Sequence, residues 1–125
     1  MSPELASKLT ADFPLLYAGE GVFSFECKDG WYDIIRELSE KLEHLNRTTG
    51  LSCVASQVKE KFGTLRFYCT DEDAPPALVL IQSAMNKSAV TCERCGEPGN
   101  LREGGWLKTL CDKCFCEWLS EASRR

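Results

Sequence analysis

Histidine is almost missing from this chain: His44 is the only one, and it falls on the polar side of an amphipathic segment. That shortage argues against the histidine-rich metal sites and the general-base chemistry that most hydrolases and nucleases use. Nucleotide-binding and nucleophile motifs are absent too. There is no Gly-x-x-x-x-Gly-Lys loop, no Gly-x-Gly-x-x-Gly turn and no Gly-x-Ser-x-Gly elbow. No apolar run approaches the ~20 residues that span a bilayer. The opening residues Met1-Ser2-Pro3-Glu4-Leu5 lack the charged and apolar regions of a secretory signal. A cytoplasmic location is therefore expected, where thiols stay reduced.

A basic surface is also wanting. The formal net charge is −4. Residues 1–50 carry the whole imbalance, with five Lys/Arg against nine Asp/Glu; residues 51–91 balance four against four, and residues 92–125 six against six. Such a chain repels phosphate, which places duplex binding at a disadvantage. With 43% hydrophobic and 27% charged residues, it otherwise has the composition of an ordinary globular protein.

Cysteine, by contrast, is plentiful, with eight in 125 residues. Cys92-Glu93-Arg94-Cys95 and Cys111-Asp112-Lys113-Cys114 form two Cys-x-x-Cys pairs fifteen residues apart. In a cytosolic chain this spacing reads as a four-cysteine zinc site. Four thiolates complete a tetrahedral shell and leave no position for water or substrate, so one structural zinc is expected and catalysis at the metal is not. Gly96 follows the first pair; Leu101-Arg102-Glu103-Gly104-Gly105-Trp106 reads as a hairpin; a helix carrying Phe115, Trp118, Leu119 and Ala122 on one side follows Cys111. Knuckle, hairpin and helix together resemble the treble-clef class of zinc fingers. Cys116 lies about 140–160° around the helix from Cys111 and Cys114 and is excluded. Cys27, Cys53 and Cys69 are too scattered to make a second site; Cys69 reads as a core residue.

Ahead of the finger, Ser2-Pro3-Glu4 marks a helix start running to about Ala11. A short strand is expected around Val22-Phe23-Ser24-Phe25. Trp31 to Leu45 is a helix: at ~100° per residue, Trp31, Ile34, Ile35, Leu38, Leu42 and Leu45 share an arc of about 100°, with Glu37, Glu40 and Glu43 outside it and Asp29 as candidate cap. Leu51 to Thr70 reads as a β-hairpin turning at residues 60–63, with Val58 opposite Leu65, Ser56 opposite Phe67 and Val54 opposite Cys69. That register shows Cys53, Gln57, Lys59, Arg66 and Tyr68 on the outer face. Asp71-Glu72-Asp73 leads into a helix over about Pro75 to Ser88 whose core stripe is Ala77, Leu78, Ile81, Ala84 and Met85. The fold expected is α+β, two main helices packed on an antiparallel hairpin over residues 1–90, followed by the zinc finger at 91–125.

Two surfaces are candidates for binding. Gln57, Lys59, Arg66 and Tyr68 set aromatic and cationic groups side by side, a mixture common at protein interfaces and single-strand contacts. In the finger, Arg94, Arg102, Lys108 and Lys113 are offset by Glu93, Glu97, Glu103 and Asp112.

Three segments carry a wider resemblance. Residues 25–35, Phe-Glu-Cys-Lys-Asp-Gly-Trp-Tyr-Asp-Ile-Ile, residues 57–68, Gln-Val-Lys-Glu-Lys-Phe-Gly-Thr-Leu-Arg-Phe-Tyr, and the ending Cys92-Glu93-Arg94-Cys95-Gly96 … Gly104-Gly105-Trp106 … Cys111-Asp112 resemble small zinc-finger proteins of tailed phages and prophages. That family carries no assigned activity; the resemblance implies synthesis in a bacterial cytoplasm. Its members often hold a longer insert where this chain has only Asn46-Arg47-Thr48-Thr49-Gly50, and many end in a Cys-x-x-His-like pair where this chain has Cys111 and Cys114. The expectation is a non-enzymatic accessory protein that binds a host or phage protein and modulates a bacterial machine, including a defence system such as CRISPR-Cas. A nucleic-acid-binding regulator is the alternative. Neither a membrane nor a small-molecule substrate is expected as partner.

Overall fold

The computed structural model describes residues 1–19 and 23–123. Helix α1 (Pro3–Asp12) starts where the sequence places it. Ser2 Oγ accepts from the Leu5 amide at 3.4 Å, and Pro3 occupies the first turn, where its missing N–H costs nothing. The chain then turns so that Leu9, Phe13, Leu16 and Tyr17 enter the main core. Val22 of the expected short strand lies outside the described residues; strand β1 is Phe25–Glu26.

A turn of 3₁₀ helix over Asp29–Trp31 leads into α2 (Tyr32–Thr48). Asp29 does not cap α2. Its carboxylate instead accepts from the Ser2 amide at 2.7 Å, and Trp31 stands at the cap position without a side-chain bond to the first turn. Trp31, Ile35, Leu38 and Leu42 form the buried stripe. Glu43, outside the apolar arc, is nonetheless buried, because the turn after α1 folds over it: the Leu15 and Leu16 amides donate to its two carboxylate oxygens at 3.1 and 2.8 Å.

Strands β2 (Ala55–Lys61) and β3 (Thr64–Cys69) form the hairpin, and β1 joins β2 in parallel, giving a three-stranded sheet in the order β1-β2-β3. The hairpin register differs from the expected one. Val58 faces Phe67, Lys59 faces Arg66 and Lys61 faces Thr64. Only Phe62 and Gly63 form the turn, both with positive φ (53° and 83°), the backbone of a tight hairpin whose twist matches its strands. Glu60 Oε2 accepts from the Gly63 amide at 2.8 Å and stiffens that turn. Further along β2, the register slips between Ala55 and Gln57. The extra residue reverses the alternation of side chains. Cys53 and Ala55 therefore enter the core, and Cys53 does not join the outer face as expected.

Helix α3 (Pro75–Ser88) packs on α2 and β3. Ala77 and Ala84 are buried, with Leu80 and Ile81 packed against the core, whereas Leu78 is 49% exposed. The inward stripe is thus rotated from the one expected. A two-stranded sheet of β4 (Asn100–Arg102) and β5 (Lys108–Leu110), followed by α4 (Asp112–Ser123), completes an α+β architecture. In α4, Phe115 and Trp118 stack at 6.2 Å, while Leu119 and Ala122 face solvent. No helix among the described residues is long and apolar enough to cross a membrane.

Candidate metal centre and open sheet face

Backbone geometry brings the four cysteines together. The knuckle at residues 92–96 closes on itself, with the Gly96 amide donating to Cys92 O at 3.0 Å and the Cys92 amide to Glu97 O at 2.7 Å. Cys111 sits just before α4 and Cys114 in its first turn, where the Cys114 amide points at Cys111 Sγ at 3.4 Å. The sulfurs of Cys92, Cys95, Cys111 and Cys114 all lie within 4.8 Å of one another, and those of Cys95 and Cys111 are 3.6 Å apart. This cluster could hold a metal ion.

The electrostatics suit a cation. Burial opposes a thiolate at Cys92, but the amides of Cys111, Cys95 and Arg94 outweigh it and hold this thiol down at about 7. Cys114 moves the other way, pushed up first by burial and then by the neighbouring sulfurs. Sulfurs this close cannot all ionise without a positive charge among them. The site is also lopsided. Cys92 and Cys114 are buried, while Cys95 and Cys111 reach a surface depression between Arg94, Glu97 and Lys113.

The knuckle is built directly on the rest of the protein. Gly30 donates its amide to Glu93 O at 2.7 Å, and a Cβ on Gly30 would lie 2.2 Å from Cys92 O, so only glycine fits. The Glu93 side chain is buried; it accepts from the Lys28 amide at 3.1 Å and lies 3.7 Å from Lys108 Nζ. Lys108 also holds Glu60 at 3.1 Å, tying the finger to the β2–β3 hairpin. Thr109 Oγ1 donates to Gly63 O at 2.6 Å, and Trp31 Nε1 donates to Thr91 O at 2.9 Å.

None of these anchors was legible as such. An acid between two ligand cysteines reads as solvated, and Gly30 as a turn residue. The Gly-Trp pair at 30–31, a glycine beside a large aromatic at a helix start, was the only available signal.

The other cysteines stand apart. Cys116 is exposed on α4 and outside the cluster. Cys27 and Cys69 are buried, and burial pushes each thiol up to about 12. Cys53 is buried and shifted in the same direction by the same cause. His44 is exposed, and its carbonyl accepts from Thr48 Oγ1 at 2.8 Å.

Gln57, Lys59, Arg66 and Tyr68 do share one sheet face. Lys59 stands opposite Arg66 and Gln57 opposite Tyr68, while the alternate residues Val58, Leu65 and Phe67 are buried on the other side. The finger's cations are differently placed. Arg94 holds Glu121 at 2.8 Å, Arg102 holds Asp112 at 2.7 Å, and Lys108 holds the two glutamates described above. No family model, curated protein or solved structure matches the chain.

Proposed function

We propose that the chain is a non-enzymatic binding protein whose C-terminal module is folded around one structural zinc ion, held by Cys92, Cys95, Cys111 and Cys114. The observation that carries this reading is the four-sulfur cluster built onto Gly30 and Glu93. Sulfur donors in tetrahedral number favour zinc over the hard, oxygen-seeking cations. With every ligand supplied by the chain, the ion's role is to hold the knuckle, the β4–β5 hairpin and α4 in one unit of treble-clef type.

The partner in this reading is a host or phage protein, met in a bacterial cytoplasm through Gln57, Lys59, Arg66 and Tyr68. Modulation of a bacterial machine, a defence system such as CRISPR-Cas included, is the corresponding role, and it rests on the phage resemblance of residues 25–35 and 57–68. Ion pairing in the finger supports protein over nucleic acid. Arg94, Arg102 and Lys108, three of the four cations that would touch phosphate, are already occupied by carboxylates.

Affinity capture from bacterial lysate, with and without nuclease, tests the reading. A defined protein retained after nuclease treatment is the expected result. Recovery of nucleic acid alone, with affinity that falls steeply in salt, would overturn it in favour of a nucleic-acid regulator. Elemental analysis is expected to give about one zinc per chain, the number one tetrahedral four-cysteine site requires.

A further inference from the structure

Arginine pairing among the described residues fails at one place. Arg36, Arg47, Arg94 and Arg102 each hold a carboxylate. Arg66 alone among the described arginines holds none, and its Nε is a buried donor without a hydrogen-bond partner. Directly across the ladder stands Lys59, which likewise makes no ion pair among the described residues. Like charges placed opposite each other weaken an antiparallel pair, and a buried donor left unpaired adds a second penalty. Both fall on the same two strands.

The surroundings do not relieve them. Lys61 is the next residue on this face of β2, and its ammonium sits over the exposed Phe62 ring at 5.5 Å. Glu26, paired in register with Lys59 on β1, is the one acid in the row, and it makes no ion pair with that lysine. The face is therefore locally cationic in a chain whose formal net charge is −4.

We infer that the open sheet face is a docking site for an acidic segment of a partner protein, whose carboxylates complete the pairing that Lys59 and Arg66 lack. The inference rests on the reading of this face as the binding surface. A guanidinium presents donors in a fork that fits a carboxylate, and the exposed Tyr68 and Gln57 offer contact area and hydrogen bonds beside it. A short acidic segment suits the charge distribution better than a nucleic acid does. Fields at the surface fade over roughly 8 Å at physiological salt, so a short segment feels only the local cations. A polynucleotide extends past them and meets the chain's overall negative charge.

The test uses fluorescence anisotropy with the full chain and three labelled probes of equal length: a repeating Glu-Ser peptide, its Gln-Ser counterpart and a single-stranded DNA. The glutamate peptide should bind, with affinity that falls as salt rises, and about tenfold more tightly than the glutamine peptide, the factor that a single charge-assisted contact supplies. Lys59→Glu separates recognition from folding. It replaces the repulsion with a cross-strand ion pair to Arg66, so the thermal midpoint should rise while peptide binding is lost. Equal binding of the two peptides, or unchanged binding by Lys59→Glu, overturns the inference. If DNA binds and the glutamate peptide does not, the protein-binding reading falls with it. If neither probe binds, yet a protein captured from lysate is retained by Lys59→Glu, only the acidic-segment inference falls.

Discussion

The Gly30 amide donates to the Glu93 carbonyl at 2.7 Å, so the first cysteine knuckle is laid on the turn that starts α2. Main core and candidate metal site thereby share a backbone contact with no room for a side chain. Gly30→Ala places a methyl 2.2 Å from Cys92 O, against backbone that cannot step aside. The substitution is expected to cost about 2–3 kcal/mol or more, as overpacking against backbone does. Glu93→Gln keeps the shape but weakens the bond from the Lys28 amide and the pairing with Lys108; about 1–2 kcal/mol is expected. Urea unfolding followed by tryptophan fluorescence measures both, since Trp31 lies beside this seam with its Nε1 bonded to Thr91 O.

Removing one ligand should unfold the end of the chain before the rest. In modules of this kind metal-binding energy is folding energy, so Cys92→Ser and Cys111→Ser are expected to lose zinc and to raise hydrogen exchange first across residues 91–123. Cys116→Ser should keep the metal, because Cys116 is exposed and stands outside the sulfur cluster. Loss of zinc from Cys116→Ser in elemental analysis would show that the helix presents its sulfurs otherwise.

Thiol reactivity should follow burial. After chelation, Cys92, Cys95, Cys111, Cys114 and Cys116 are expected to alkylate before Cys27, Cys53 and Cys69, which lie in the main core. In the last three, burial raises the pKa and keeps the thiolate scarce. Trypsin makes the order readable, because Arg94, Arg102, Lys108 and Lys113 separate the four candidate ligands onto different peptides. Mass spectrometry of timed digests gives the sequence of modification. Early labelling of Cys53 would restore the outer-face placement that the slip in β2 removes.

Features with local causes were legible in the sequence. Ligand spacing picked out Cys92, Cys95, Cys111 and Cys114, and proline and serine placed the starts of α1 and α3. Features set by distant backbone were not. Phenylalanine is an unfavourable residue for a positive φ, so within the expected turn at 60–63 nothing narrowed the bend to Phe62 and Gly63; Gly63 accepts from Thr109 of the finger, a contact separated by 46 positions. The slip between Ala55 and Gln57 likewise has no local signature, and it changed the side on which Cys53 lies. Glu43 and Glu93 looked solvated because their partners are backbone amides from other segments.

Glu43 gives a second measure of that blind spot. Glu43→Ala leaves the Leu15 and Leu16 amides without their acceptor and removes the partner of Arg47 at 3.3 Å. Charge-assisted bonds of this kind are worth about 1.5–3 kcal/mol, and a loss in that range is expected in thermal unfolding. Glu40→Ala, on the exposed side of the same helix, should change stability by less than about 0.5 kcal/mol, the usual scale for surface positions.

Tyr17 carries a pH dependence whose sign follows from its surroundings. The phenol is buried and shares a 2.7 Å hydrogen bond with Ser39 Oγ. Burial, the largest cause, pushes its pKa far above the ordinary 10.0. In the unfolded chain the phenol ionises near pH 10, as an ordinary tyrosine does, while in the folded protein it stays neutral well beyond that. The folded state thus holds the proton more tightly. Its contribution to stability is fully present below the unfolded value and is lost as pH rises toward the folded one. Absorbance near 295 nm should show Tyr17 ionising only together with alkaline unfolding. Tyr17→Phe should remove that late phase and flatten the loss of stability above pH 10. Its cost at neutral pH should be only about 1 kcal/mol, because Ser39 Oγ still donates to Ile35 O.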